Sequence, residues 1–166
     1  MAATEFQTRI KPLLEQHYPQ VLLEWPVYKN ATDPFQRNIS QYYPRTDIAV
    51  GPFSIDHGHN TDINLNLVNP ALERKLRLLH RHNPNPRCLL AIEVVFSGSS
   101  KHILGDILNA SAIGLYGIVV GTPEMLPKIK RNMEYLKKLA EVGKLSPLPF
   151  QNVLIMDTTE FEMSLN

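Results

Sequence analysis

Two acidic residues stand where burial would make them costly. Glu93 interrupts the apolar, β-branched run Leu89-Leu90-Ala91-Ile92-Glu93-Val94-Val95-Phe96, which otherwise reads as a central strand. A charge enclosed in such a strand is unfavourable unless it is paired or holds a cation. Asp47 heads a second strand-like run, Arg45-Thr46-Asp47-Ile48-Ala49-Val50. Lys101 follows Glu93 across the turn Ser97-Gly98-Ser99-Ser100. Two carboxylates on two strands, with an ammonium group just beyond the second, point to a divalent-metal site that attacks phosphodiesters. The opposing reading is three ordinary residues: a carboxylate paired with an arginine, a strand-capping Asp and a solvated Lys.

Side chains alternate along a strand, so Asp47 and Ala49 share one face, and Ala91, Glu93 and Val95 share another. Each acid therefore has an alanine two residues away on its own face, which leaves room for a cation and its waters. If the two strands are neighbours, the carboxylates converge on a hard cation of the Mg²⁺ type, which takes oxygen ligands and keeps several waters. The turn 97–100 opens a helix, and the free N–H groups there favour a phosphate.

The elements that position these groups follow from periodicity and breakers. Residues 4–17 carry Phe6, Ile10, Leu13 and Leu14 near helical spacing, with Thr4 as N-cap and an awkward Pro12. Val21–Tyr28 reads as a strand weakened by Pro26, 29–43 as a loop, and Arg45–Phe53 as a second strand. A polar, Asn-rich segment 54–69 leads into a basic helix over 70–82, ended by Pro84 and Pro86 before a third strand over 87–96. The next helix, 99–113, has an apolar stripe of Ile103, Ile107 and Ala110 and a polar face of His102, Asp106 and Asn109, with Gly114 as stop signal. A buried strand over 115–121, a helix from Thr122 to Val142 closed by Gly143, and a last strand Val153–Met156 complete the order. The alternation of strand and helix in the later part predicts an α/β fold: a mixed sheet covered by helices.

Composition excludes several classes. The chain of 166 residues is most simply one domain, 1–166, with 43% hydrophobic and 20% charged residues, as in a soluble globular protein. Its net charge of +1 is neutral on nucleic acid, since a local basic face matters more than the total. Cys88 alone cannot form a disulfide within the chain and reads as a small buried hydrophobe, which fits a reducing compartment. No apolar run approaches the ~20 residues of a membrane span, and the N-terminus has no signal-peptide pattern, so the expected location is cytoplasmic.

The element order and the two acids resemble the PD-(D/E)xK nuclease superfamily, the restriction endonuclease-like fold. The resemblance covers roughly residues 4–121: Pro44-Arg45-Thr46-Asp47 stands for the first acid of the motif and Ile92-Glu93-Val94 for the second. It implies an αβββαβ core and hydrolysis of DNA phosphodiester bonds by a metal-dependent endonuclease. The implied ligands of Mg²⁺ (or Mn²⁺) are Asp47, Glu93 and the main-chain carbonyl of Val94. A homodimer, with two sites addressing two strands, is also implied. The family's lysine stands two residues after the second acid, where this chain has Val95; Lys101 on the following helix takes its place, as it does in some family members. A first-helix glutamate assists in some members, but Glu15 and Glu24 here read as surface charges.

Two rival readings remain. One is a catalytically inactive nucleic-acid- or protein-binding module on the same fold, favoured by Val95. The other is an unrelated α/β enzyme using zinc at the loop Asp56-His57-Gly58-His59-Asn60-Thr61-Asp62, although no second His or Cys pair completes that site. The basic helix around Arg74, Lys75, Arg77 and Arg81, and the Lys128, Lys130, Arg131, Lys137 and Lys138 set, would suit a phosphate backbone or a plain solvated face equally well.

Overall fold

A computed structural model describes residues 2–26, 44–53, 70–79, 83–145 and 150–166. The elements are α1 (Ala3–Glu15), β1 (Val21–Pro26), β2 (Arg45–Phe53), α2 (Pro70–Leu76), β3 (Cys88–Val95), α3 (Ser100–Ile113), β4 (Gly114–Gly121), α4 (Leu126–Glu141), β5 (Val153–Asp157) and α5 (Thr158–Met163). The strands form one five-stranded mixed sheet in the order β1-β2-β3-β4-β5. β1, β2 and β3 run antiparallel to their neighbours, and β3, β4 and β5 run parallel. The chain is thus α/β, an open mixed sheet flanked by helices. The loop 29–43, the histidine-containing segment 56–62 and the end of the basic stretch, residues 80–82, lie outside the described residues.

Burial explains the layering. Every residue of β3 and β4 is buried, as expected of central strands covered on both faces. On one side Phe6, Ile10 and Leu14 of α1, Leu72 and Leu76 of α2 and Phe161 of α5 pack on Ile48, Ile92, Ile118 and Met156. On the other, Ile103 and Ile107 of α3 and Ile129 and Met133 of α4 pack on Val95, Val119 and Val153. Gly117 lets α3 lie close on β4: a Cβ there would come within 2.6 Å of the Ala110 backbone.

Several boundaries differ from expectation. α1 starts at Ala3, not after Thr4, because the Glu5 carboxylate accepts from the Ala2 N–H at 2.9 Å and closes the first turn. Pro12 sits within the helix. α2 stops at Leu76 and passes into a turn instead of reaching 82. Gly114 does cap the C-terminus of α3, as expected, its N–H donating to the Ala110 carbonyl, and it also begins β4. α4 starts at Leu126 after a turn at 123–125. α5 was not expected: the Asp157 carboxylate, ending β5, accepts from the Glu160 N–H at 2.8 Å and starts a helix at once. Cys88 is fully buried, as expected. Among the described residues, no helix is long and apolar enough to cross a membrane.

Candidate functional site

The strand register brings the two acids together. β2 pairs Ile48 with Ile92, Ala49 with Ala91 and Val50 with Leu90 in β3. Carried one step further, this antiparallel register sets Asp47 opposite Glu93, and opposite residues share a face. The two flanking alanines are directly paired. From the other side, β1 pairs Leu23 with Ile48 and Trp25 with Thr46, which sets Glu24 opposite Asp47. Three acids therefore form a row across β1, β2 and β3. Glu24 has a φ of 49°, in the left-handed region that side chains other than Gly and Asn disfavour. It is exposed, with Arg45 3.9 Å away.

The row lies beneath α3. Ala49 and Ala91 pack with Ile113 of that helix, and Val95, two residues beyond Glu93, packs with Ile103 and Ile107. Val95 is 2% exposed, a core side chain two residues beyond Glu93. Glu93 is 4% exposed, and its Oε1 is buried without a hydrogen-bond partner. The Val94 N–H donates to Asp47 Oδ2 at 2.7 Å. In an extended strand the N–H and C=O of one residue point to the same side. The Val94 carbonyl therefore also faces β2, where Asp47 stands. The Thr46 hydroxyl donates to the Ile92 carbonyl at 3.3 Å, across the same strand pair.

Asp106 completes the cluster, and the sequence marks it only as part of a polar face. Residues seven apart lie two turns apart on one side of a helix. Asp106 thus lines up with Ile113, which rests on Ala49 and Ala91, and stands over the next residues of those strands. Its charge acts on Glu93, and the Asp47 charge acts on it. His102 lies one turn nearer the helix start on the same flank, and its charge acts on Asp106. The signal was available in the sequence: a helix after β3 carrying His102, Asp106 and Asn109 on the edge of its apolar stripe. What could not be read was which strands that edge covers.

Lys101 is exposed in the first turn of α3. It shares the outer side of the helix with Leu108 and Ala112, both exposed, away from the buried stripe of Ile103, Ile107 and Ala110. Among the described residues, the cations acting on these carboxyls are Arg45 at Asp47 and His102 at Asp106.

The electrostatics are those of like charges held together out of water. Burial, then Asp47 and Asp106, push the Glu93 carboxyl well above the usual range; the nearby Thr46 hydroxyl and Asp47 amide offset this only in part. Burial also raises Asp47, helped by Glu24 and opposed by the Val94 amide, the Gln7 side chain and Arg45. Burial and Asp47 raise Asp106 to about 6, with His102 opposing. A cation would relieve all three.

Among the described residues, no group of three or more His, Cys, Asp or Glu side chains is arranged to hold a metal ion. Two facing carboxylates with a carbonyl beside them fit Mg²⁺, which takes one or two carboxylates and fills its remaining positions with water. His57 and His59 lie outside the described residues. A separate cavity of about 360 Å³ lies along α4 and β5, lined by residues such as Lys130, Met133, Glu134, Phe150 and Ile155, and Asp47, Glu93 and Asp106 do not line it.

No family model, curated protein or solved structure matches this chain.

Proposed function

We propose that the protein is a metal-dependent nuclease that hydrolyses DNA phosphodiester bonds on a restriction endonuclease-like PD-(D/E)xK scaffold. One observation carries this reading: the buried, unpartnered Oε1 of Glu93 beside Asp47 across the β2–β3 ladder. A charged oxygen so placed costs stability, and a bound cation would offset that cost. The order α1-β1-β2-α2-β3-α3-β4, with α2 inserted before the third strand, and three antiparallel strands followed by a parallel crossover support the scaffold.

In this reading Asp47, Glu93 and the Val94 carbonyl hold Mg²⁺ (or Mn²⁺). The bound ion would acidify a water and offset the charge growing on the phosphate. The chain's own groups do the positioning. The ladder fixes both carboxylates on one face, and the Val94 N–H aims Asp47. Glu24 and Asp106 add negative potential that favours a cation near the pair. Lys101, on the outer side of α3, offers its ammonium group to the DNA phosphates beside the free N–H groups of the helix start. The protein works in the cytoplasm on DNA, as a homodimer that presents one site to each strand.

A non-catalytic binding module is the second reading, and the buried Val95 favours it. Plasmid incubated with Mg²⁺ separates the two. The nuclease reading expects nicking or linearisation by the wild type and its loss in folded Asp47→Ala and Glu93→Ala proteins. Equal cleavage by all three refutes it, and binding without cleavage by the wild type supports the module.

A further inference from the structure

We propose that the outer edge of β5, with the cavity beside it, is a docking site for an extended acidic segment of another protein, which adds to the sheet as a further strand. This site lies apart from the acid row and owes nothing to the nuclease reading. β5 ends the sheet, and among the described residues β4 alone pairs with it. The Gly117 N–H donates to the Asn152 carbonyl at 2.9 Å, so the main-chain groups of Asn152 point to β4. Successive residues of a strand point to opposite sides. Those of Leu154 and Met156 therefore serve the β4 ladder, and those of Val153, Ile155 and Asp157 turn outward. The Val153 N–H is taken by the Phe150 carbonyl at 3.3 Å. The Val153 carbonyl, both Ile155 groups and the Asp157 N–H are left without main-chain partners among the described residues. An edge of that kind is a template for another strand.

The neighbouring helix α4 supplies the side-chain contacts. Its Ile129, Met133 and Leu136 face the sheet. One flank is turned to the start of α3, where the Lys128 ammonium donates to the Gly98 carbonyl at 2.6 Å. The opposite flank carries Lys130 and Lys137, about two turns apart. There they line the 360 Å³ cavity with Met133, Phe150, Val153 and Ile155. The floor is therefore apolar and the rim cationic. Lys137 is held by the Glu134 carboxylate at 2.8 Å, whereas Lys130 is exposed and has no ion pair among the described residues. A strand laid along β5 would send every second side chain to the α4 side, beside Val153 and Ile155. An apolar side chain there fills the cavity, and a carboxylate two residues on, about 7 Å away, meets Lys130. Main-chain bonds then give affinity, and the cavity with its lysine gives specificity. Charge selects the occupant. A second copy docking by this edge would set the rim against itself, Lys130 included, because a two-fold contact joins the same patch on both subunits. An acidic segment meets no such repulsion.

The probe is the capped peptide Thr-Leu-Thr-Glu-Thr-Leu-Thr, which reads alike in both directions and so serves either strand sense. Added to the full chain and followed by NMR, it should move the amide resonances of Ile155 and Asp157. At a peptide concentration about ten times its Kd, hydrogen exchange of the Ile155 N–H should slow roughly 10-fold, as for any group covered only in the complex. Lys130→Glu, a change at an exposed position, should weaken binding by roughly 5–10-fold. The peptide with Lys in place of Glu should bind the wild type more weakly by a similar factor, a control that leaves the protein untouched. No binding of the Glu peptide, equal binding of the Glu and Lys peptides, or an Ile155 N–H that exchanges as fast with peptide as without overturns the proposal. So does an Ile155 N–H whose protection rises with protein concentration in the absence of peptide, which would show the edge closed by a second copy.

Discussion

Asp106→Asn should make the metal-free protein more stable, and only above the acid range. The Asp106 carboxyl is raised to about 6 from its ordinary 3.8 by burial and by Asp47. Fully enclosed, a displacement of that size would carry ~3 kcal/mol. The group is partly open to solvent, which screens roughly half, leaving ~1.5 kcal/mol. The sign follows from proton binding. Between about pH 4 and about pH 6 the folded protein holds more protons than the unfolded chain, so stability falls as pH rises through that window. Above it the full cost of the charge is present. Asn has no charge to lose. At about 2–4 °C per kcal/mol for a chain of this size, the variant should melt ~3–6 °C above wild type near pH 8 and level with it near pH 4. Circular dichroism melts in EDTA across that range give the result directly. An equal or lower Tm for the variant near pH 8, or a difference that does not vary with pH, would refute the placement of Asp106 over the two strand acids.

Other expectations follow from the same geometry. Mg²⁺ should raise the wild-type Tm more as the pH rises, because burial, Asp47 and Asp106 make the Glu93 carboxyl hold its proton more tightly than an ordinary carboxyl, and that proton must leave before the ion binds. Glu93→Gln should remove that Mg²⁺ response, as read by thermal melts with and without the ion. Gly117→Ala should lower stability by ~1–3 kcal/mol in urea titrations, since the new methyl meets the Ala110 backbone at 2.6 Å and neither element can move freely. Asp157→Ala should lower it by ~1 kcal/mol and speed hydrogen exchange in α5, because the Asp157 carboxylate caps the Glu160 N–H.

Much of this arrangement is written locally in the sequence. The β3 run is apolar enough to announce a central strand, and Glu93 stands out against it for that reason. The alanines beside the acids are legible by simple alternation, and they do pair, Ala49 with Ala91. What alternation could not give is the register between β2 and β3, since a slip of one residue would have turned Asp47 to the opposite face from Glu93. Register is set by contacts spanning some forty residues, and so is the lie of α3 over both strands. Asp106 and His102 were therefore visible as a polar face with no address. Lys101 was visible as the nearest lysine, yet its side of the helix is fixed by which neighbours are buried, and those are Ile103, Ile107 and Ala110. α5 escaped for a different reason. Asp157-Thr158-Thr159-Glu160 has the spacing of a helix start, but the six-residue helix after it is too short to show a period. Thr4 was a sound capping residue that lost to Ala2, because the Glu5 side chain closes the first turn from within.

The most direct test of the central claim is a calorimetric Mn²⁺ titration of wild type and Glu93→Gln. Mn²⁺ takes the same oxygen ligands as Mg²⁺ and usually binds nitrogen and oxygen sites more tightly than Mg²⁺ does. The account predicts a single ion per wild-type chain, with protons released as the raised carboxyls ionise, and loss of that binding in the variant. Wild-type protein that takes up no Mn²⁺, or a variant that binds it equally well, would contradict it.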